Sequence, residues 1–222
     1  TAALKLCAIT GTNGKTSCSW WLAQAIEKLP AHYGLGACGL VGTLGVGRVG
    51  ALQYTGLTTP DPITLQAELA KMRDQGCGTC AMEASSIGLV EGRMTGSQVH
   101  TAIFTNFTQD HLDFHGDMDR YWQAKSLLFT WPNLRAAVIN MDDAKGQVVL
   151  DSCRTRGLAC WTYSVYRPAD VYADNLTFCS AGAHFRVHIK EQSYALALPI
   201  YGVYNISNVL AVLAALLSLG VS

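Results

Sequence analysis

The stretch Ile9-Thr10-Gly11-Thr12-Asn13-Gly14-Lys15-Thr16 decides the fold of this chain. It follows an apolar run from Leu4 to Ile9 and precedes residues 18–29, whose large apolar side chains recur at helical spacing. A strand, a glycine loop, Lys-Thr and a helix are typical of a loop that binds the phosphates of a nucleotide, because backbone N–H groups and the positive end of the helix dipole converge on one anion. We expect Lys15 to reach the β/γ-phosphates and the Thr16 hydroxyl to coordinate Mg²⁺.

The loop departs from the general phosphate-loop pattern at one position. G-x-x-x-x-G-K-[ST] requires glycine at position 9, where this chain has Ile9. The match is therefore to the shorter Gly-Thr-Asn-Gly-Lys-Thr. The alternative interpretation is a glycine-rich turn between a strand and a helix that binds no ligand.

Composition limits the class of protein. The chain has 222 residues, half of them hydrophobic, which is enough for one large α/β domain. Lys+Arg and Asp+Glu both number 16, and without a basic run we expect no nucleic-acid partner. The longest apolar stretch, residues 209–219, is too short to span a bilayer, so we expect no membrane insertion.

Cysteine usage bears on the compartment. The eight cysteines are scattered, mostly within apolar runs, which favours buried thiols in a reducing cytoplasm over a disulfide framework. Cys77-Gly-Thr-Cys80 is an isolated C-x-x-C, for which a zinc site and a turn entering a strand are the two interpretations. The chain begins at Thr1 without methionine and stops after Ser222, which suggests a piece of a longer protein.

Two polar groups follow predicted buried strands and become candidate metal ligands. Glu83 ends the strand 79–83, and the carboxyl ends of parallel strands share one edge of a sheet, so it would lie beside the phosphate loop and hold Mg²⁺. A helix-capping or solvated carboxylate is the alternative. His111 lies in the polar cluster 106–116; on a helix it would pair with His115 to bind zinc, but Gly116 favours a loop. Two interpretations of His111 remain open: a histidine near phosphates and a metal ion, or a structural histidine.

Three further positions receive local interpretations. Thr58 and Thr59 precede two prolines and could hold a polar ligand, although physical reasoning alone favours a helix cap. Lys125, on the helix predicted over 117–129, is expected to face solvent. Residues 142–143 are expected to cap the helix that continues through Leu150.

The sequence pattern predicts an α/β fold: a mostly parallel sheet flanked by helices, of the P-loop mononucleotide-binding type. Between Asp170 and Leu198 the apolar period changes to two, which predicts a small antiparallel β appendage near the C-terminal part. Residues 1–222 are predicted to form a single domain.

Seven stretches of the chain resemble the Mur ligases, and specifically their central ATPase domain. They occur in the family's order: 9–17, 58–62, 82–89, 110–116, 121–129, 140–143 and 205–211. The resemblance is closest to the branch that adds the third amino acid, meso-diaminopimelate or L-lysine, to UDP-MurNAc-L-Ala-D-Glu. It implies a cytoplasmic, ATP-dependent acid–amino-acid ligase of peptidoglycan synthesis that uses Mg²⁺ and forms an acyl phosphate on the D-glutamate γ-carboxylate.

The resemblance also implies roles for individual residues. ATP would be bound by Gly11, Thr12, Asn13, Gly14, Lys15, Thr16 and Ser17, with Asn205 and Asn208 near the adenine. The metal set would be Thr16, Glu83, His111 and Lys125, the last as a carbamate, which reverses the solvent-facing interpretation. The UDP-MurNAc-peptide would contact Thr58, Thr59, Ser85 and Arg93. The catalytic group would comprise Lys15, Glu83, His111 and Lys125.

Two residues depart from the family's pattern. Ile87 stands where many relatives have histidine, and Glu91 replaces a glutamine, so neither receives a role. The resemblance is to the central domain alone, so we expect the family's preceding domain, which holds the UDP end, and its following domain, which selects the amino acid, to lie outside these 222 residues. The sequence therefore predicts neither the amino acid added nor the oligomeric state, and it implies that the isolated chain does not ligate.

Three alternatives accompany this interpretation. The first is another Mur-type ligase, or a folylpolyglutamate or cyanophycin synthetase relative. The second is a GTPase-type switch, disfavoured because Asn140-Met141-Asp142-Asp143 lacks the lysine of Asn-Lys-x-Asp. The third is a nucleotide-binding scaffold that catalyses nothing.

Overall fold

A single eleven-stranded sheet organises the molecule. The computed structural model describes residues 4–222. The strands are β1 (Lys5–Thr10), β2 (Ala37–Gly42), β3 (Gly45–Arg48), β4 (Ala51–Gln53), β5 (Cys77–Glu83), β6 (Val99–Phe104), β7 (Ala136–Asn140), β8 (Ala159–Ser164), β9 (Val171–Cys179), β10 (Gly182–Ile189) and β11 (Gln192–Leu198). The helices are α1 (Lys15–Lys28), α2 (Pro62–Asp74), α3 (Ser86–Val90), α4 (Leu112–His115), α5 (Met118–Ser126), α6 (Gly146–Thr155) and α7 (Val203–Ser218).

The sheet is parallel at its centre and antiparallel at both edges. The strand order is β11-β10-β9-β8-β7-β6-β1-β5-β2-β3-β4. Strands β2, β5, β1, β6, β7, β8 and β9 pair in parallel, whereas β3–β4 and β10–β11 extend the sheet by hairpins. The predicted α/β class with a C-terminal antiparallel appendage is confirmed.

The central strand β1 buries both of its faces, as the apolar run predicted. Cys7 and Ile9 belong to the core cluster that contains α1 and α7, whereas Leu6 and Ala8 belong to the cluster that contains α2 and α6. Successive strand side chains point to opposite faces, so one continuous apolar run supplies both cores. Helices therefore cover both faces of the sheet.

The strand order places the polar loops at one edge. β1 lies between β5 and β6, and parallel pairing aligns Ile9 with both Glu83 and Ile103. The segments that follow β1, β2, β5 and β6 consequently leave the sheet side by side. Open α/β sheets bind ligands at this carboxyl edge, where the order of strands reverses.

Two predicted helix caps are wrong. α2 is capped by Asp61, whose carboxylate accepts hydrogen bonds from the N–H groups of Ile63 and Thr64, and not by Thr58 or Thr59. Pro62 begins that helix because a missing N–H costs nothing at the first position.

The other incorrect cap concerns α6, which begins at Gly146, after a turn, and has no side-chain cap. Asp142 instead accepts hydrogen bonds from the Ser164 hydroxyl and the Val165 N–H at 2.6 Å. Asp143 accepts from the Phe107 N–H at 2.7 Å and, in the turn that enters α6, from the Lys145 N–H at 2.8 Å. The two carboxylates connect neighbouring loops at the carboxyl edge of the sheet.

The cysteines are unpaired thiols. All eight are free, and six of them are buried, as their positions in apolar runs predicted. Cys77 and Cys80 both lie in β5. Within residues 4–222, no group of three histidine, cysteine, aspartate or glutamate side chains is arranged to hold a metal ion.

Across residues 4–222, no helix is both long and apolar enough to cross a lipid bilayer.

Candidate functional site

The loop between β1 and α1 has a conformation that requires its two glycines. Gly11 has φ 152° and Gly14 has φ 85°, both in the region that side chains disfavour. A Cβ atom on Gly11 would lie 1.9 Å from the Thr105 hydroxyl oxygen, and one on Gly14 would lie 2.4 Å from Asn208 Oδ1. The loop therefore packs directly against the end of β6 and against α7.

The residues that follow β6 hold the phosphate loop in place by hydrogen bonds. The Asn13 N–H donates to Asn106 Oδ1 at 2.8 Å, and Asn106 Nδ2 donates back to the Asn13 carbonyl at 3.1 Å. The Thr12 N–H donates to the Asn106 carbonyl at 2.9 Å, and the Thr105 hydroxyl donates to the Asn13 carbonyl at 2.6 Å. These contacts fix the loop's backbone in advance of any ligand.

Lys15 folds back over the loop that precedes it. Its Nζ donates to the carbonyl oxygens of Gly11 at 2.9 Å and Thr12 at 2.8 Å. Burial lowers the pKa of the Lys15 ammonium, while the carboxylates of Glu83 and Asp110 act in the opposite direction. The side chain is thus held beside the loop, at the start of α1.

Glu83 is a buried carboxylate with its hydrogen bonds satisfied. It is 1% exposed. Its oxygens accept from the Thr16 hydroxyl at 3.0 Å, from the Thr43 N–H at 2.8 Å and from the Thr43 hydroxyl at 3.3 Å. A Cβ atom on Gly42 would lie 2.3 Å from Glu83 Oε1, so the carboxylate lies against bare backbone. Neither a capping nor a solvated role describes this residue.

Lys125 is buried, and its predicted exposure to solvent is wrong. It is 1% exposed, its Nζ donates to the Gly11 carbonyl at 2.7 Å, and it lies 4.4 Å from the centroid of the Tyr121 ring. Burial and the neighbouring Lys15 ammonium lower the pKa of Lys125 to about 7. An amine with that pKa is partly neutral at physiological pH.

The two histidines of the polar cluster have separate environments. His111 is the N-cap of the single-turn helix α4, with φ 51°, and its half-exposed ring lies 3.5 Å from Asp110. His115 is buried, and its Nε2 lies 2.9 Å from the Ser86 hydroxyl. The expected loop is therefore a short helix. His111 borders a cavity beside the phosphate loop, whereas His115 contacts the hydroxyl of Ser86 in α3.

The phosphate loop lies between two cavities that divide the predicted site residues. A cavity of about 350 Å³ is bordered by Lys15, Thr16, Thr58, Glu83, Ser85, Arg93, His111 and Lys125. We call it the acceptor cavity. A second cavity of about 780 Å³ is bordered by Asn13, Gly14, Ser17, Asn205 and Asn208, together with the exposed Tyr166 and Tyr204. We call it the nucleoside cavity.

Thr59 lies beneath the acceptor cavity and not on its wall. The side chain is fully buried, and its hydroxyl donates to the Glu83 carbonyl at 2.9 Å. The same oxygen accepts from the Ser85 N–H at 3.2 Å and lies 3.1 Å from the Ser85 hydroxyl. Arg93 Nη1 donates to the Thr59 carbonyl at 3.1 Å, while its guanidinium pairs with Glu91. Thr59 thus ties the wall residues Ser85 and Arg93 to the end of β5.

Sequence reasoning missed three residues of the site. Thr43 holds Glu83, Asn106 holds the phosphate loop, and the hydroxyl of buried Tyr121 lies 3.2 Å from that of Thr12. For Thr43 a signal existed, since it follows β2 and every segment after a parallel strand leaves at the same edge. Burial raises the pKa of Tyr121.

Comparison with known proteins identifies the family of this chain. A model of the Mur ligase middle domain matches residues 9–216. The chain belongs to the Mur ligase family. The resemblance noted from the sequence is confirmed.

Individual Mur ligases are similar to this chain. The UDP-N-acetylmuramoyl-L-alanyl-D-glutamate--2,6-diaminopimelate ligase of Acidovorax sp. (strain JS42) is 48% identical over 226 residues, which cover 100% of this chain and 44% of that protein. A solved structure of a ligase of the same name superposes with a TM-score of 0.88 at 35% identity, covering 98% of this chain and 44% of the other. The chain therefore spans less than half the length of these relatives.

A more distant Mur ligase shares the fold. The MurF ligase of Thermotoga maritima, solved in complex with ADP, superposes with a TM-score of 0.66 at 12% identity, over 99% of this chain and 46% of that one. At this identity the likeness shows the fold alone.

Proposed function

We propose that this chain is the central nucleotide-binding domain of an ATP-dependent Mur ligase that adds an amino acid to UDP-MurNAc-L-Ala-D-Glu. The observation that carries the proposal is the phosphate loop between two cavities, with Lys15, Thr16, Glu83 and Lys125 all on the acceptor side. We also propose that residues 1–222 are one domain, in accord with the single continuous sheet.

The nucleoside cavity takes the adenosine part of ATP. Asn205 and Asn208 line it at the start of α7, and Asn208 lies against the phosphate loop at Gly14. From there the phosphates run past the N-terminal end of α1 toward Lys15. Its ammonium leaves the two loop carbonyls to bind the transferred phosphoryl group, because an anion is a stronger partner than a carbonyl.

The donor set on the acceptor side fits Mg²⁺. The Thr16 hydroxyl and the Glu83 carboxylate are adjacent hard oxygen donors, which Mg²⁺ prefers and usually complements with water and substrate phosphate. His111 borders the same cavity. When bound there, the ion neutralises charge on the phosphates. The N–H group and hydroxyl of Thr43 hold the Glu83 carboxylate in a fixed orientation for coordination.

Lys125 completes this set as a carbamate. A lysine with a pKa of about 7 offers a neutral amine, which adds to CO₂ and releases a proton to give an anionic carbamate. Its oxygens would lie near Gly11 and Lys15 and would add further hard donors for a cation. The free ammonium, by contrast, would repel a cation.

The acceptor cavity holds the D-glutamate γ-carboxylate for phosphoryl transfer. Thr58, Ser85 and Arg93 line it, and a guanidinium suits a carboxylate or phosphate oxygen. A carboxylate oxygen forms a bond to the γ-phosphorus while the bond from that phosphorus to ADP breaks. The amine of the incoming amino acid then attacks the acyl carbon, and phosphate leaves. The protein contributes mainly position and charge neutralisation, as phosphoryl transfer requires.

We propose meso-diaminopimelate as the added amino acid, with L-lysine as the alternative. Support comes from the names of the relatives, the Acidovorax protein among them. The isolated chain is expected not to ligate, because more than half of the relatives' length lies outside it.

A ligase assay of the full-length parent tests the proposal. Parent protein, ATP, Mg²⁺ and the UDP-muramyl dipeptide are combined with either amino acid, and ADP release and tripeptide product are measured. Product with meso-diaminopimelate and not with L-lysine is expected. Absence of product and of ADP release with both would overturn the function, and the isolated chain serves as the comparison.

A further inference from the structure

We infer that Thr43 is a positioning residue: it fixes the Glu83 carboxylate to which Thr16 donates, and it accepts from Thr58, so that both of those hydroxyls present lone pairs to the acceptor cavity. The inference rests on the proposed function and adds the direction of each hydrogen bond around Glu83. It makes Thr58 an acceptor for a substrate N–H or O–H group. Thr43 borders the same cavity, and the role inferred for it is to orient Glu83 and Thr58.

Glu83 takes part in this network as a carboxylate, which only accepts hydrogen bonds. The hydroxyl oxygens of Thr16 and Thr43 lie 3.0 and 3.3 Å from its Oε2. Both hydroxyl hydrogens therefore point at Glu83. The lone pairs of Thr16 are left facing the cavity that this residue lines, which is the orientation a cation requires.

The side chain of Thr43 also contacts that of Thr58. Their hydroxyl oxygens lie 3.1 Å apart, and geometry alone does not say which one donates. A hydroxyl carries a single hydrogen, and that of Thr43 is already directed at Glu83. Thr58 must then be the donor to Thr43. Its remaining lone pairs face the acceptor cavity, so it accepts from the ligand.

The backbone N–H and the side-chain hydroxyl of Thr43 have separate partners, and only the hydroxyl contacts Thr58. The Thr43 N–H already fixes Glu83 Oε1 at 2.8 Å, and Gly42 leaves room for the carboxylate to lie against the strand end. The Thr43 N–H thus binds Glu83 Oε1, whereas the Thr43 hydroxyl donates to Glu83 Oε2 and accepts from the Thr58 hydroxyl. Thr43→Val keeps the shape and the N–H but removes the hydroxyl. Thr43→Ser keeps the hydroxyl and removes a methyl group.

The test uses the full-length parent with these two variants. Thr95→Val is the matched control, because Thr95 is exposed and its hydroxyl has no hydrogen-bond partner among residues 4–222. Mn²⁺ affinity is measured by electron paramagnetic resonance with a non-hydrolysable ATP analogue, and KM for the UDP-muramyl dipeptide is measured separately from kcat. Melting temperatures show whether each variant is folded.

Thr43→Val is expected to weaken Mn²⁺ binding about tenfold and to raise the dipeptide KM by a similar factor, the usual effect of losing a hydrogen bond to a charged group. Thr43→Ser should stay within about twofold of the wild type on both measures. Thr58→Val should raise the KM and leave Mn²⁺ affinity within about twofold, since it lies at the end of the chain of hydroxyls.

Two results would overturn the inference: Thr43→Val matching Thr95→Val, or Thr43→Ser as impaired as Thr43→Val. If Thr43→Val does not fold, the serine variant and Thr58→Val decide alone. A wild-type parent that binds neither Mn²⁺–nucleotide nor dipeptide would contradict the proposed function itself. A wild type that binds both, with unaffected variants, contradicts only the role of Thr43.

Discussion

The ammonium of Lys125 donates a hydrogen bond of 2.7 Å to the carbonyl oxygen of Gly11. A lysine on α5 is thereby buried against the phosphate loop, beside a second lysine, Lys15. Two cations this close, away from bulk water, favour the loss of one proton. The contact places a partly neutral amine next to the proposed metal ligands.

Carbamate formation on Lys125 should depend on pH. Its pKa of about 7, lowered by burial and by Lys15, means that the neutral amine that adds to CO₂ becomes abundant as the pH rises from 6 to 8. With ¹³C-labelled bicarbonate, we expect a carbamate signal in the ¹³C NMR spectrum that grows over this range. Lys125→Ala should lose the signal, whereas Lys71→Ala, an exposed lysine of α2, should keep it.

Activity gives a second measurement for the same residue. Lys125→Ala should nearly abolish ligation by the full-length parent, and a small carboxylic acid such as acetate should restore part of it by supplying the missing oxygens. Full activity in the unrescued variant would contradict the carbamate.

Lys15→Ala should abolish nucleotide binding by the parent enzyme. The substitution removes the cation held at the start of α1 next to the loop, and a charge-assisted contact to phosphate is among the stronger polar interactions. Isothermal titration calorimetry with ATP checks this. Lys28→Ala, at the exposed end of the same helix, is the control and should bind normally. An unchanged ATP affinity for Lys15→Ala would refute the loop's role.

Acid should destabilise the fold through His100. Its pKa is lowered from the usual 6.5, mainly by burial and then by Lys5 and Arg135. Below pH 6.5 the unfolded chain therefore binds a proton that the folded chain resists, so stability falls as the pH falls toward the folded pKa. Urea unfolding at pH 7.5 and pH 5 should show a smaller difference for His100→Gln than for the wild type. His32→Gln, on the surface, should not reduce it.

Asp142→Ala should lower both stability and nucleotide affinity. The carboxylate accepts from the Ser164 hydroxyl and the Val165 N–H, and Tyr166 next to them borders the nucleoside cavity. Leaving these donors unpaired should cost about 1–3 kcal/mol of unfolding free energy, measured by urea titration. Asp151→Ala, exposed on α6, should change neither quantity. Equal losses in the two variants would mean that the Asp142 contacts contribute nothing specific.

Much of the candidate site followed from local chemistry. A carboxylate at the end of a buried parallel strand must emerge beside other strand ends, and this predicts the place of Glu83. By contrast, the position of Thr58 and Thr59 next to α2 supports a helix cap equally well. Asp61 outcompetes them, because its carboxylate reaches two free N–H groups of the helix.

The sequence by itself determined the phosphate loop, the α/β class and the sheet edge at which function lies. These depend on residues near one another in the chain: two glycines before Lys-Thr, apolar runs and a change of period at residue 170. The tertiary structure alone decided that Lys125 is buried and that Thr43 orients Glu83. Lys125 and Gly11 are 114 residues apart, so only the packing of α5 beneath the loop brings them together. A lysine's burial depends on what covers it, and no local pattern records that.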